Sequence, residues 1–177
     1  MTKTYLKDVY RYYGSLKYKK GSIPIEWKYI IILRKAQQSK NKILKFFYRH
    51  KLKKLMIKTH IFIPFETKIG YGLYIGHLGR LIINGDVTIG KNCNIATGVT
   101  IGQESRGKRK GCPILGNSVW IGTNAVIVGK IIIGDDVLIA PNAFVNFDVP
   151  SHSICIGNPA KIVPKSNATQ EYILNMV

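Results

Sequence analysis

Acidic residues are scarce in this chain: 9 Asp and Glu stand against 27 Lys and Arg in 177 residues, a net charge of +18. The deficit is uneven, because residues 1–60 hold 17 basic and 2 acidic side chains while residues 61–177 hold 10 and 7. Such a basic first third suits an anionic membrane surface, a nucleic acid, anionic ligands or no more than a solvated helix face. No nucleic-acid-binding module accompanies it, which argues against nucleic acid as a partner. Cysteine is scarce too. Cys93, Cys112 and Cys155 are odd in number and lack CxxC or zinc spacing, so neither a disulfide framework nor a structural metal site is expected. Cys93 and Cys155 read as small buried residues. Long apolar runs are missing as well. The longest, Tyr29 to Leu33, is far below the ~18 residues of a spanning helix. Met1 to Lys20 has no apolar signal-peptide core, so the expected compartment is the cytoplasm. A hydrophobic content of 46% is enough for the core of one domain with a helical extension.

What the chain does have is a repeat. Leu115, Ile121, Ile127, Ile133, Ile139 and Val145 fall on a period of six. A second track runs two residues earlier through Pro113, Val119, Ala125, Ile131, Val137 and Ala143. The same frame continues upstream as Ile83, Ile89, Ile95 and Ile101, with Val87 and Val99 beside them. Ile69 and Ile75 begin it, and a two-residue slip separates them from Ile83. Apolar residues at i and i+6 would scatter around a helix, whereas short strands with a corner every six residues place them all inward. Three such strands close a triangular coil of about 18 residues, and stacked coils bury a continuous core. A β-sandwich would not stay locked at six. The expected fold is mainly β, a left-handed parallel β-helix with an N-terminal α-helical extension and a short C-terminal helix.

The phase breaks between Ile101 and Leu115, where Gln103 to Gly111 are polar and basic; a flexible extruded loop, 103–112, is expected. Leu44, Phe47, Tyr48, Leu52, Leu55 and Met56 follow helical spacing, which predicts helix over about 25–58, with a shorter one over about 4–13 and a connector from Gly14 to Pro24. Asn167 or Thr169 is placed to cap a last helix, Gln170 to Met176. The divisions expected are a basic helical region (1–60), the β-helix (61–165) and the C-terminal helix (166–177).

Two motifs mislead. Gly102 to Arg109 nearly matches the phosphate-binding P-loop, but Arg109 stands where Ser or Thr must hold magnesium, and the flanks are repeat coils. Gly70, Gly72 and Gly76 lack the dinucleotide spacing.

Of four histidines (His50, His60, His77, His152), His77 stands apart. It occupies the phase slip in Leu73-Tyr74-Ile75-Gly76-His77-Leu78-Gly79, with glycines that admit close approach of a ligand. Imidazole is the usual base for abstracting a hydroxyl proton near neutral pH. The stretch Lys68-Ile69-Gly70-Tyr71-Gly72-Leu73-Tyr74-Ile75-Gly76-His77, the repeats, the extruded loop and the closing Gly157-Asn158-Pro159-Ala160-Lys161-Ile162-Val163 together resemble the hexapeptide-repeat acyltransferases, in particular their serine O-acetyltransferase-like branch. The resemblance covers about 100 residues of the chain.

It implies an acetyl-CoA-dependent O-acetyltransferase that works by direct transfer, with His77 as general base, acetyl-CoA as co-substrate and no permanently bound cofactor. It further implies a homotrimer with the site in the groove between prisms. By the same resemblance CoA contacts fall near Gly102, Gly122, Thr123, Ala140, Pro141 and Lys161; on charge alone, Lys108 with Arg109 and Lys110 suits CoA phosphates, the alternative being a solvated loop. Two departures appear. Phe62 takes the place of the family's histidine-orienting Asp, leaving Glu66 as the substitute. Cys112, preceded by Gly111, takes the place of a second histidine preceded by Arg. A Cys112 thiolate, its pKa lowered by Lys108 to Lys110, is a lesser candidate nucleophile. These departures turn the expected acceptor from serine, the alternative, toward a sugar hydroxyl of a surface-polysaccharide precursor. The basic arm with Trp27, Phe46 and Phe47 suggests peripheral membrane contact. A non-catalytic β-helix scaffold is the remaining alternative.

Overall fold

The computed structural model describes residues 4–15 and 24–177; most of the connector expected over 14–24 lies outside the described residues. Three helices come first, α1 (Thr4–Tyr13), α2 (Ile25–Gln38) and α3 (Lys42–Thr59). Short strands then wind through a parallel β-solenoid of about five turns. The first turn carries β1 (Ile61–Phe62), β2 (Lys68–Ile69) and β3 (Tyr74–Ile75); the second β4 (Leu81–Ile83), β5 (Thr88–Ile89) and β6 (Asn94–Ile95). The third has β7 (Thr100–Gly102), β8 (Ile114–Leu115) and β9 (Trp120–Ile121), the fourth β10 (Val126–Val128), β11 (Ile132–Ile133) and β12 (Val137–Ile139). β13 (Phe144–Val145), β14 (Ser153–Ile156) and β15 (Lys161–Pro164) finish it. Every third strand stacks into one of three sheets: A (β1-β4-β7-β10-β13), B (β2-β5-β8-β11) and C (β3-β6-β9-β12-β14-β15). All pairings are parallel except β15 on β14.

The register locates both irregularities of the repeat. One turn spans 20 residues from Lys68 to Thr88, 26 from Thr88 to Ile114 and 18 from Ile114 to Ile132. The two extra residues of the first turn lie between β3 and β4, at Gly76–Arg80; the eight extra of the third lie between β7 and β8. Both aliphatic tracks point inward, from Ile75 at 1% exposure to Val145 at 0%. Cys93 and Cys155 are free thiols in the same core. Each buried Ile contributes roughly 1.5–3 kcal/mol of transfer free energy.

Corners leave little space. At the B-to-C corner Gly70, Gly90, Gly116 and Gly134 stack directly, so a Cβ on Gly70 would lie 2.7 Å from the Gly90 carbonyl carbon, and one on Gly90 would strike the Gly116 carbonyl. The obstructing atoms are backbone and cannot move aside. Gly90→Ala is expected to cost about 3 kcal/mol and to lower the melting temperature by about 9 °C, read by thermal circular dichroism.

The open edge of the first turn presents unpaired backbone groups, which a solenoid must cover. The helices do this with side chains of α1 and α2. The Tyr29 hydroxyl accepts from Ile63 N (3.1 Å) and donates to its carbonyl (3.3 Å). Tyr12 serves Ile75 in the same way, at 3.0 and 2.8 Å. Arg34 donates to the carbonyls of Ile69 (2.8 Å) and Gly70 (2.5 Å), and Asp8 accepts from Leu73 N at 2.9 Å. Arg11 ties α1 to Gly72 O and Asn94 Oδ1, and to Leu174 O in the tail. Core residues of α2 and α3 (Tyr29, Leu33, Leu52) join those of the solenoid in one cluster.

Residues 25–58 are mostly helical as expected, divided at 39–41, where Asn41 caps α3 by accepting from Ile43 N (2.9 Å) and Leu44 N (3.1 Å). Two sequence expectations are corrected. Trp27 is buried against Tyr12 and Tyr13 (ring centroids 5.0 and 4.7 Å), so it is not a surface aromatic. The C-terminal helix is absent among the described residues. Residues 166–171 run as turns, held by Asp136, which accepts from Ala168 N (3.1 Å), Thr169 N (3.0 Å) and the Thr169 hydroxyl (2.7 Å) while meeting His152 Nδ1 at 2.8 Å. Burial pushes the Asp136 carboxyl up, but these bonds outweigh it and hold it below its ordinary 3.8. A lowered folded pKa gives stabilisation that is present above the unfolded value and lost as pH falls through the folded one. Protection of the Ala168 and Thr169 amides from hydrogen exchange, relative to unstructured amides at the same pH, should therefore hold at neutral pH and fall below pH 3.8, and Asp136→Ala should lower it at every pH.

Candidate active site

The two-residue expansion of the first turn builds an outward corner. Gly79 N donates to Thr59 O at the end of α3 (3.3 Å), the Thr97 hydroxyl to Leu78 O (3.4 Å), and Gly98 N to Arg80 O (2.6 Å). These bonds anchor the chain immediately after His77, whose side chain is exposed. None of the hydrogen bonds or ion pairs among the described residues engages its imidazole. The neighbouring glycines serve the stacking of turns: a Cβ on Gly72 would strike Asn92 and one on Gly79 would strike Thr97. The other histidines are placed elsewhere. His152 meets Asp136, His60 takes the left-handed conformation after α3, and His50 lies exposed on α3.

Residues that follow sheet C in later turns lie on the same C-to-A edge as His77. Asn124 N donates to Thr97 O (3.1 Å) and Asn142 N to Thr123 O (2.9 Å), so the corners stack in register. Gly122 is buried, and a Cβ there would lie 2.6 Å from Pro141 N. With about 4.8 Å between strands, Gly122 and Thr123 stand about 10 Å above His77, and Ala140 and Pro141 about 14 Å. Lys161 opens β15 opposite Ile156 at the top of the same edge. Beside Ala140, Pro141 and Ile156, the tail encloses a cavity of about 560 Å³ with Lys165, Gln170 and Tyr172 on its wall. Lys165 and this cavity had no sequence signal, because a helical tail would not have formed them.

Other expected site residues are elsewhere in the chain. Glu66 is exposed at the A-to-B corner of the first turn, between β1 and β2, and is not brought to His77. Gly102 ends β7, and the insertion with Lys108 leaves the A-to-B corner of the third turn just after it. It is not a free loop. Glu104 and Gly111 exchange backbone hydrogen bonds of 3.0 Å, Lys130 N donates to Arg109 O (2.8 Å), and the Arg109 guanidinium donates to the Asn146 carbonyl. Arg109 thus anchors the hairpin, while Lys108 stays exposed at its turn. Cys112 also differs from expectation: burial pushes its thiol up and Asp86 adds to the effect, so the lysines do not make it a thiolate.

Residues 112–146 match the bacterial transferase hexapeptide (six repeats) family. Serine acetyltransferase of Helicobacter pylori (strain ATCC 700392 / 26695) is 42% identical over 99 residues, covering 56% of this chain and 58% of that protein. Serine acetyltransferase of Staphylococcus aureus (strain N315) is 38% identical over 97 residues, 55% of this chain and 46% of that one. The match thus spans about half the length of these relatives. Among solved structures, Neisseria gonorrhoeae serine acetyltransferase in complex with serine superposes with TM-score 0.69 at 26% identity, over 92% of this chain and 68% of that one. Serine acetyltransferase from Brucella abortus strain S19 in complex with Coenzyme A gives 0.71 at 26% identity, over 92% and 66%.

Proposed function

We propose that this chain, a hexapeptide-repeat protein similar to the serine O-acetyltransferases in sequence and fold, transfers acetyl from acetyl-CoA to an acceptor hydroxyl with His77 as general base. The observation that carries the reading is the unengaged imidazole at the base of an edge whose uppermost corner, at Ala140 and Pro141, borders a cavity. The pantetheine arm lies along Gly122, Thr123, Ala140 and Pro141, and the nucleotide end lies toward Lys161 and the cavity beside Lys165. Small or buried residues let an extended chain approach the backbone there, and lysines suit phosphate.

The reaction is direct. His77 takes the proton from the acceptor hydroxyl as its oxygen attacks the thioester carbonyl carbon. The tetrahedral intermediate collapses with cleavage of the C–S bond, and the sulfur leaves with the proton His77 returns. The products are the acetyl ester and free CoA, and no covalent enzyme intermediate is needed. Backbone N–H groups at the corners supply oxyanion donors. Lys108 and Cys112 sit at a different corner from His77, so one prism does not join them. A trimer, as the resemblance implies, brings the hairpin of one prism to the His77 edge of the next.

Serine is the first acceptor to test, because the relatives and the serine-bound neighbour favour it over the sugar hydroxyl expected from sequence. One observation keeps the sugar reading as a second: Gly111 and Cys112 occupy the positions where the resembled branch has Arg and His. The test is release of CoA thiol from acetyl-CoA with L-serine, sugars and nucleotide-sugars in parallel. Turnover with serine supports the first reading and turnover only with a sugar the second. Silence with all acceptors removes both.

A further inference from the structure

Helix α3 is apolar on two faces. Its inner face, with Leu52 and Thr59 buried and Tyr48, Leu55 and Met56 half-buried, packs on the core. Its outer face carries a second stripe, Ile43, Phe46, Phe47 and Ile57, which are 69%, 68%, 60% and 71% exposed. At 100° per residue these four fall within one arc of about 100° opposite the packed face. Lys42 and Lys53 lie on one margin of the stripe, Lys51 and Lys58 on the other, with Lys54 between Ile43 and Phe47. The helix has no Asp or Glu anywhere. Burial in the fold therefore explains the inner face and leaves the outer one without a partner among the described residues.

We propose that this outer face docks on an anionic lipid surface, with Phe46, Phe47, Ile43 and Ile57 at the headgroup–acyl boundary and the flanking lysines on lipid phosphates. Charge complementarity selects this occupant. Pairing two copies of α3 through the stripe would bring two lysine-rich margins together with no acid on either to offset them. An anionic bilayer supplies the missing charge along both margins and an apolar layer beneath them. The helix lies on the membrane and does not cross it, since no helix among the described residues is long and apolar enough to span. Through the bond from Gly79 N to Thr59 O the docked helix adjoins the His77 corner.

The test is co-sedimentation of the full chain with vesicles of equal parts phosphatidylcholine and phosphatidylglycerol, beside vesicles of phosphatidylcholine alone, with light scattering of the free protein. Binding is expected only to the anionic vesicles. It should weaken about 30-fold or more in Lys53→Glu/Lys54→Glu and about tenfold or more in Phe46→Ser/Phe47→Ser, and should fall in high salt. All four side chains are exposed, so both variants should keep the wild-type circular dichroism. The proposal is overturned by absence of binding to anionic vesicles, by equal binding to neutral ones, or by self-association of the free protein that the Phe46→Ser/Phe47→Ser variant abolishes. None of these readouts depends on acetyl transfer.

Discussion

His77→Ala should abolish most acetyl transfer while leaving the fold and CoA binding in place. A positioned general base contributes about 10²–10⁴-fold, so kcat should fall by about 10³, equivalent to about 4 kcal/mol of activation free energy. The Michaelis constant for acetyl-CoA should hardly move, since Gly122, Thr123, Ala140 and Pro141 lie two or three turns away along the edge. The melting temperature should also hold, because the imidazole is exposed and the corner is anchored by backbone and Thr97. Free imidazole should restore part of the lost rate to the alanine variant, since the vacated corner is open to solvent. Undiminished thiol release would show that His77 is not the base and would move the chain toward a binding or scaffold role.

The solenoid was legible because its cause is periodic. An inward aliphatic residue every six positions serves one function in every turn, and the two breaks in phase mark the two places where the chain leaves the prism. His77 was legible for the same reason, as it stands in the first break. What escaped depends on contacts between distant segments. The tail's own sequence predicts a helix, yet Asp136, over thirty residues earlier in the chain, takes the amides of Ala168 and Thr169 and fixes turns instead. The insertion read as free because its composition is polar. Lys130 and Asn146 pin it through Arg109, and no local pattern encodes those partners. The basic charge of the first third concealed two roles under one composition. Arg11 and Arg34 are buried bonding groups at the end of the solenoid, whereas the lysines of α3 face solvent. A net charge cannot separate them, since burial is decided by tertiary packing.

Asp8→Ala should be the most damaging single change to stability outside the aliphatic core. Asp8 and Arg34 meet at 2.8 Å with side chains 0% and 2% exposed, so removing the carboxylate leaves a guanidinium charge buried without its counter-ion. Breaking such a pair costs about 3–5 kcal/mol, which in a chain of this length lowers the melting temperature by about 10 °C or more. Leu73 N loses its acceptor at the same time. Asp8→Asn keeps an oxygen for Leu73 N and loses only the charge, so its cost should be smaller. Arg34→Met removes the cation but also frees the carbonyls of Ile69 and Gly70. The double variant Asp8→Ala/Arg34→Met should therefore cost less than the two single changes combined, because no charge stays unpaired, yet more than zero, because the first turn loses its cap. Urea titration of the four proteins by circular dichroism measures this directly. A single-variant cost below about 1 kcal/mol would mean that the solenoid holds its first turn without the helices. A cost in the expected range would make α1 and α2 the end-cap on which the His77 corner, one strand further along the same turn, depends for its position.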